Sequence, residues 1–335
     1  MKRKGESEKK GGRIQASLAQ PGLIEAVEEA VAERTAGSPV DPEIRWTNRS
    51  PRDISDELAE QGFTASEDTV RRLLTEELGL SRRQAVKKES TRDFPFRNEQ
   101  FEHLTRRRAW YERRGWPVLS IDTKKKELLG EFFRPGRAYT NGQFAVLDHD
   151  FPPPGHSRLI PYGVYDVTQN EGLLYLALGA DSSELACDAI RQWWRRLGSK
   201  RYWNAPQLLV LCDCGGSNGY RLHRFKEELH YLARHLCRTI EVAHYPPGCS
   251  KYNPIEHRLF CHVSRAWQGA ALRTIDVAYQ LAQRVATSTG LHLIPQIAKR
   301  IYEKGQKASD DFLEHLAIQF NRFLPELNYT APACG

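Results

Sequence analysis

The sequence predicts an α/β fold, in which a mixed five-stranded sheet with flanking helices follows a smaller helical region. Two largely apolar runs, residues 118–121 and 208–212, are short and bounded by polar residues or glycines, which is typical of buried strands. Segments with helical periodicity alternate with strands after residue 180, as they do in α/β proteins. The 335 residues allow two domains or one large one, and 40% hydrophobic residues suffice for a sizeable core.

The charge pattern indicates the class of partner. The formal net charge is +7 and arginine is prominent, which suits an anionic polymer such as nucleic acid. No apolar run reaches the roughly 18 residues of a membrane-spanning helix, so no membrane association is expected. Residues 1–12 are charged and lack the apolar stretch of a secretion signal, which indicates a cytoplasmic protein.

The seven cysteines show no repeated metal-ligand spacing. Free thiols in a reducing cytosol are therefore the simplest interpretation. One alternative stays open, a zinc site built from two cysteines and two histidines: Cys249, Cys261, His257 and His262.

The N-terminal part is predicted to be helical after a short tail. Residues 1–20 are charged with few large apolar side chains, so we expect a disordered basic tail. Residues 21–80 form a predicted helical DNA-binding region, which begins with a helix over 21–36. Its most informative part is 50–79, where two short helical patterns flank a turn that contains glycine.

This pair of helices has the features of a helix-turn-helix. Ser50 and Ser66 are suitable N-caps for the two helices, and Gly62 ends the first one. Arg71 and Arg72 lie off the apolar face of the second helix, where they would contact DNA. The same pattern also fits an ordinary helical hairpin.

Residues 81–115 are predicted to be a basic linker. Arginines and lysines there are interleaved with aromatic residues. The segment fits either a solvated linker helix or an arm that contacts phosphates, and we expect a mixture of the two.

Residues 116–270 are predicted to form the α/β domain, and residues 271–335 a largely helical C-terminal extension. The predicted order is β-β-β-α-β-α-β-α, with a long excursion over 124–157. The predicted strands cover 116–122, 158–167, 173–179, 208–212 and 238–243. The predicted helices cover 182–197, 218–236 and 254–267, the second of them capped by Ser217 or Asn218. This is the order of a ribonuclease H-like core, a likeness of fold that does not by itself determine function.

Two acids follow predicted core strands. Asp122 ends the first strand and Asp213 ends the fourth, in the crevice where open α/β sheets bind ligands. A carboxylate there is costly unless it is paired or holds a metal. Two-metal phosphoryl transfer requires converging carboxylates, because hard cations such as Mg²⁺ take oxygen ligands.

Glu256 is the candidate third acid, in the first turn of a helix that begins with Asn253 as cap and Pro254. A glutamate at that position is also typical of a capping box, so the helix end alone does not decide its role. Other acids compete for the same role, namely Asp148 and Asp150 in the excursion and Asp166 and Asp181 beside turns.

The sequence resembles the Rhodopirellula-type transposases of bacterial insertion sequences, within the DDE transposase group. The resemblance covers about residues 44–330, and its motifs are IDTKKKELLG, DHDFP, PYGVYDVTQNEG, LLVLCDCGGSNG, HYPPGCSKYNPIEHRLF and NYT. It implies a ribonuclease H-like catalytic core preceded by an N-terminal helix-turn-helix domain. It also implies that Asp122, Asp213 and Glu256 are the catalytic residues and the ligands of two Mg²⁺ or Mn²⁺ ions.

The resemblance also implies the partners and the reaction. The enzyme would hydrolyse a phosphodiester at the element's end and transfer the strand to target DNA, using double-stranded DNA with terminal inverted repeats. Joining two ends implies a homodimer or a higher oligomer, and a bacterial element implies a nucleoid-associated location. Four lysines beside the acids are candidate phosphate contacts, with solvent exposure as the alternative: Lys124, Lys125, Lys126 and Lys251.

Two departures from the family pattern keep other functions open. Cys214 stands where the family has the first of three glycines after the aspartate, and a side chain there would narrow the metal site. The N-terminal part is also shorter than the family pattern, so we expect a terminal DNA-binding segment to be missing or degenerate. The alternatives are a catalytically inactive DNA-binding protein derived from a transposase and a general nuclease of the same fold.

Overall fold

A computed structural model describes residues 19–32, 35–37, 45–47, 49–81, 94–138, 145–147 and 157–333. The chain divides into two compact units, residues 1–89 and 90–335. The helices are α1 (Leu23–Ala32), α2 (Pro51–Glu60), α3 (Glu67–Glu76), α4 (Arg97–Arg113), α5 (Ser183–Trp193), α6 (His223–Leu236), α7 (Cys261–Trp267), α8 (Ile275–Gln283) and α9 (Asp310–His315). The strands are β1 (Thr35–Gly37), β2 (Arg45–Thr47), β3 (Val118–Thr123), β4 (Glu127–Leu128), β5 (Arg158–Asp166), β6 (Glu171–Leu178), β7 (Gln207–Cys212), β8 (Thr239–His244), β9 (His292–Ile297), β10 (Gln319–Phe320) and β11 (Asn328–Ala331).

In the first unit, α1, α2 and α3 pack around a small apolar core. Ser50 caps α2 in a full capping box, in which its hydroxyl accepts from the Asp53 backbone and Asp53 accepts from Ser50. Ser66 caps α3 with its side chain alone, which accepts from the Thr69 backbone N–H. The two short helices and the turn between them therefore form where the caps predict. The predicted tail lies outside the described residues except for its last two positions.

The second unit is built on one nine-stranded mixed sheet. Eight strands follow the order β10-β11-β8-β7-β3-β5-β6-β9, and β4 pairs with the outer part of β5. Strands β3, β7 and β8 are parallel, whereas β5 is antiparallel to both β3 and β6. All five predicted strands are present, and they lie side by side at the centre of the sheet in the order β6-β5-β3-β7-β8.

The prediction of a largely helical extension over 271–335 is wrong. Two helices, α8 and α9, are present, but β9 pairs with β6 at one edge of the sheet and β11 pairs with β8 at the other. Strand β11 has only four residues, and the six residues of β9 show no period of two, so their conformation is determined by distant partners rather than by local pattern. The sheet therefore has nine strands instead of the predicted five.

Helices cover both faces of the sheet. Helices α5 and α6 pack on one face, where alternate residues of β5, β6 and β7 form the largest apolar cluster. Helices α4, α7 and α8 pack on the opposite face, against the intervening residues. No helix among the described residues is long and apolar enough to cross a membrane.

The predicted linker over 81–115 is wrong for its second half. Residues 97–113 form α4, which packs on the sheet with Leu104 and Tyr111 buried. Arg107 forms an ion pair with Glu241 on β8 instead of facing solvent. The aromatic residues that alternate with basic ones are thus the sheet-facing side of α4. The basic residues at 82, 83, 87 and 88 lie outside the described residues.

Candidate active site

Asp122 lies near the end of β3, in the middle of the sheet, and its residue is 9% exposed. Its Oδ1 accepts a hydrogen bond from the Thr123 backbone N–H at 2.7 Å. Burial, and next the charge of Asp213, raise the pKa of this carboxyl above its ordinary value, and Glu256 adds to that effect. The negative charge of the Asp122 carboxylate is therefore unfavourable in this position.

Asp213 follows β7, the parallel neighbour of β3. The register pairs Ser120 with Leu211, so both strands deliver their aspartates to the same edge of the sheet. The Asp213 Oδ1 accepts from the Gly215 backbone N–H at 3.1 Å and from the Asn218 side-chain amide at 3.3 Å. Burial raises the pKa of Asp213 above its ordinary value.

The prediction that Ser217 or Asn218 caps the following helix is wrong. Residues 216–218 form a separate 3₁₀ turn, and α6 begins only at His223 without a side-chain cap. Asn218 is buried, and its side-chain amide donates a hydrogen bond to the Asp213 carboxylate. Asn218 thus orients the Asp213 carboxylate and does not cap the helix.

Glu256 reaches the same edge through a buried connection between β3 and its helix. The Asn253 side chain, 0% exposed, accepts from the Ser120 hydroxyl and donates to the Ile121 carbonyl at 3.0 Å. The Ser120 hydroxyl in turn accepts from the Ile255 backbone N–H at 3.0 Å. Asn253 is therefore not the side-chain cap that the sequence predicts, because both ends of its amide are engaged by β3.

The helix that contains Glu256 is irregular at that residue. Residues Glu256–Phe260 form a π-helical turn before α7 begins. Single π-turns inside helices occur frequently at functional sites. Burial raises the pKa of Glu256 above its ordinary value, and the charge of Asp213 adds to this effect, whereas His257 and Lys124 oppose it.

The three carboxylates share one edge of the sheet and form no ion pair with a described cation, although each pKa is raised. Their side chains do not form a ready cluster of three metal ligands, and neither does any other set of His, Cys, Asp and Glu that the structure describes. Their all-oxygen chemistry suits Mg²⁺ or Mn²⁺ rather than a soft metal.

Asp181 is a fourth acid at this edge, which the sequence analysis treats as an ordinary turn residue. Its Oδ1 accepts from the Thr123 hydroxyl at 2.9 Å, and its Oδ2 lies 3.3 Å from the Lys126 Nζ. Its charge also contributes to the raised pKa of Asp213. The only sequence signal is its place at the end of a strand and just before the cap of α5, a position shared by many structural aspartates.

Among the described residues, no other competing acid lies at this edge of the sheet. Asp166 is buried at the opposite end of β5, where it accepts from the Tyr202 hydroxyl at 2.6 Å and from the Thr168 backbone. Asp148 and Asp150 lie outside the described residues.

Two buried side chains position the segment that contains Asp213. Burial lowers the pKa of His244 to about 4, so its imidazole is neutral. Its Nδ1 lies 2.7 Å from the Asp213 carbonyl, to which it donates, and its Nε2 accepts from the Tyr329 hydroxyl at 2.9 Å. The NYT motif on β11 therefore acts on the site through His244.

The predicted DNA-contacting lysines separate into different environments. Lys124 is buried between Glu127, 2.8 Å away, and the Trp267 ring, so its ammonium group is engaged within the protein. Lys125 and Lys251 are exposed, whereas Lys126 pairs with Asp181 as described above.

Arg71 and Arg72 are exposed on α3 of the first unit. Arg71 pairs with Asp68 at 2.6 Å, and Arg72 lies 3.9 Å from Glu76. These exposed pairs along one helix are weak enough to yield to a phosphate.

The zinc alternative is not supported by the described residues. Cys249 is buried, the Cys261 thiol donates to the His257 carbonyl, and these side chains form no metal-binding cluster with His262. Six of the seven cysteines are described, and all six are free.

A glycine beside Asp122 determines how closely the Glu256 helix approaches. Gly163 pairs with Asp122 across β3 and β5, and a Cβ at this position would lie 2.6 Å from both Ile255 and Phe260. We expect Gly163→Ala to lower the free energy of unfolding by about 1–3 kcal/mol, because the helix must shift outwards. Urea unfolding measures this, and an unchanged free energy of unfolding would show that the helix is not held close by Gly163.

The sequence of this chain matches one family model over almost its whole length. The model describes the Rhodopirellula transposase DDE domain and matches residues 26–333. The chain belongs to this family. A comparison with curated proteins finds no match.

Solved structures of Mos1 transposase resemble this member of the DDE transposase family at low identity. The Mos1 paired-end complex with the left transposon end is 13% identical, with 83% of this chain and 73% of that chain covered and a TM-score of 0.40. The pre-cleavage Mos1 transpososome is 12% identical over 84% and 75% of the two chains, with a TM-score of 0.43. The Mos1 strand transfer complex is 14% identical over 85% and 76%, with a TM-score of 0.43.

Cys214, the residue directly after Asp213, turns towards the end of β8. Its thiol donates to the Tyr245 carbonyl at 3.0 Å. We therefore expect Cys214→Gly to change the rate of DNA cleavage by less than about threefold, since one weak hydrogen bond is lost. Cleavage assays at matched protein concentration measure this, and a large gain in rate for the glycine variant would show that the thiol obstructs the site.

Proposed function

We propose that this transposase-family protein cleaves DNA at the ends of an insertion sequence and joins those ends to target DNA. In this proposal Asp122, Asp213 and Glu256 are the catalytic residues and hold two Mg²⁺ or Mn²⁺ ions. The proposal rests chiefly on one observation: three carboxylates from distant parts of the chain meet at a single sheet edge, where none forms an ion pair with a described cation and the charge of Asp213 raises the pKa of both Asp122 and Glu256.

The residues around the acids suit this role. The Thr123 backbone N–H binds one carboxylate oxygen of Asp122, and the Asn218 amide binds one of Asp213. The other oxygen of each carboxylate is thereby oriented towards a ligand. Asn253 holds the Glu256 helix against β3, so that the third carboxylate is placed by buried contacts. When bound, divalent cations would stabilise the charge that develops on the attacking and leaving oxygens of the phosphodiester.

The chain's own contribution is positioning and charge. The carboxylates concentrate negative charge at one sheet edge. This concentration of charge becomes favourable only when divalent cations lie between the carboxylates and a phosphate. Phosphoryl transfer needs little covalent participation by the protein. Water attack releases a 3′-OH at the element's end, and that 3′-OH then attacks target DNA in line.

The first unit is the proposed source of sequence preference. Helices α2 and α3, each capped by a serine, form a helix-turn-helix whose second helix reads the terminal inverted repeat with residues near Glu67–Arg71. Because two ends must be joined, at least two copies of the chain act together. A cytoplasmic, nucleoid-associated location in a bacterium follows from this proposal.

One experiment tests the activity directly. The full chain is incubated with duplex DNA that contains the terminal inverted repeat of its element, with Mg²⁺ or with EDTA. A nick at the repeat end and a joined product, both dependent on the metal and abolished by Asp213→Asn, are expected. Binding without any nick in Mg²⁺ or Mn²⁺ would instead identify an inactive DNA-binding protein, and equal cleavage of a random duplex would identify a general nuclease.

A further inference from the structure

A second charged feature lies on the face of the sheet that α5 covers. It is a cleft of about 650 Å³ between α5 with its continuation and the edge strand β9. One carboxylate lines this basic cleft, that of Asp188. Six cations line it: Arg191, Arg195, Arg196, Lys200, Lys299 and Arg300. The cleft therefore carries a strong excess of positive charge.

Most of this charge is not neutralised by the protein. Arg300 lies 3.0 Å from Asp188, and Arg191 bonds to the same carboxylate. The other four cations make no ion pair with any carboxylate in the described residues, and all four are exposed: Arg195, Arg196, Lys200 and Lys299. Like charges so close together repel one another, so an anionic ligand would lower the energy of the cleft.

The backbone that presents these cations is held firmly. After α5 the helix continues as a π-helical turn, Trp194–Gly198, and then as one α-helical turn. Trp193 is fully buried, and a Cβ on Gly198 would lie 2.6 Å from its ring. The turn that contains Arg195 is thus packed against the core, so ligand binding requires little ordering of the backbone.

The spacing of the cations matches a nucleic acid backbone. Positions 195 to 200, which carry three of the four cations without an ion pair, cover about 8 Å at 1.5 Å per residue. Each strand of a duplex presents a phosphate about every 3.4 Å along the axis, so about two successive phosphates face this length. An extended row of unpaired cations fits such a polymer better than a single small anion.

The cleft is also connected to the carboxylate edge. Arg300 lies 3.5 Å from Glu184 in the first turn of α5. That turn follows Asp181, which accepts from Thr123 next to Asp122. A duplex whose phosphodiester lies at the carboxylates can therefore continue along α5.

We propose that the basic cleft binds the sugar–phosphate backbone of duplex DNA, as a second contact surface separate from the carboxylate edge and from the first unit. The proposal rests on DNA being the substrate of this protein. Contacts of this kind do not depend on base sequence, so the cleft would hold flanking or target DNA irrespective of its sequence.

The test measures DNA binding without catalysis. Fluorescence anisotropy is recorded for the full chain with a random-sequence duplex in EDTA, over a range of salt concentrations. Arg195→Gln/Lys200→Gln is expected to weaken binding about tenfold and to reduce the slope of log K against log salt by about 2, since two phosphate contacts are lost. The matched control is Arg265→Gln/Arg284→Gln, two exposed arginines on the opposite face that form no ion pair with described residues, and it should retain the wild-type slope.

The outcomes separate this proposal from the proposed function. An equal loss of DNA affinity in both double variants would show that net charge alone matters and would overturn the proposal that the basic cleft binds DNA. An unchanged slope with a changed oligomeric state in sedimentation would assign the cleft to contact with a second copy and would also overturn it. If the chain never cleaves DNA yet the selective loss is found, the cleft stands and the catalytic proposal fails.

Discussion

Asp122→Asn, Asp213→Asn and Glu256→Gln are each expected to lower the rate of strand cleavage by about 10³-fold or more, with little change in DNA affinity. The physical reason is that an amide cannot provide the charge that holds a divalent cation in an oxygen-ligand site. Combining two of these changes should be no worse than one, because residues that act as a unit are not additive. Single-turnover cleavage of terminal-repeat DNA in Mg²⁺ measures the rates.

The same variants should become more stable, and this distinguishes a site from a structural cluster. The charge of Asp213 raises the pKa of both Asp122 and Glu256, so removing one charge relieves repulsion and is expected to raise the free energy of unfolding by about 1 kcal/mol in EDTA. Asp166→Asn is the matched control, since it replaces a buried aspartate that accepts three hydrogen bonds at the other end of the sheet. It should lose stability and keep its cleavage rate per folded molecule. A triad variant that loses stability and still cleaves would contradict the assignment.

Asn253→Ala is expected to have the largest effect of any change outside the acids. The variant leaves the Ser120 hydroxyl and the Ile121 carbonyl without their buried partner, which lowers the free energy of unfolding by about 2–4 kcal/mol. It also releases the helix that contains Glu256, and a displacement of about 1 Å can slow the reaction about 10²-fold. Urea unfolding and single-turnover cleavage of the folded fraction measure the two effects.

Asn170→Ala provides the comparison for that variant. Asn170 lies in the β5–β6 turn, accepts from the Tyr165 hydroxyl and donates to the Thr289 carbonyl, so it also makes two side-chain hydrogen bonds. Its loss should lower stability without slowing cleavage. If both variants reduce cleavage equally, Asn253 acts only through stability and does not position Glu256.

The centre of the fold was predictable because its strands are short apolar runs with clear ends. Strands β3 and β7 lie where the runs ending at Asp122 and Asp213 predict, and their parallel pairing confirms that the two acids are neighbours at one sheet edge. The edges of the sheet were not predictable. Strand β9 contains a proline and has no alternation, and its conformation depends on pairing with β6.

The polar contacts around the acids were less predictable than the acids themselves. Asn253 and Asn218 occupy positions that suit helix caps, and capping rules consider only the nearest residues. Their actual partners, Ser120 and Asp213, are determined by how the helices dock on the sheet. Ser120 was the available signal, a lone hydroxyl within a buried strand that requires a partner.

The hydrogen bond between Tyr329 and His244 has a consequence for the order in which the protein is made. The two residues are 85 positions apart, and His244 in turn holds the Asp213 backbone. During synthesis the segment around Asp213 therefore lacks part of its support until residue 329 has left the ribosome. A product of interrupted translation would contain the complete first unit and all three acids but an unfinished catalytic edge.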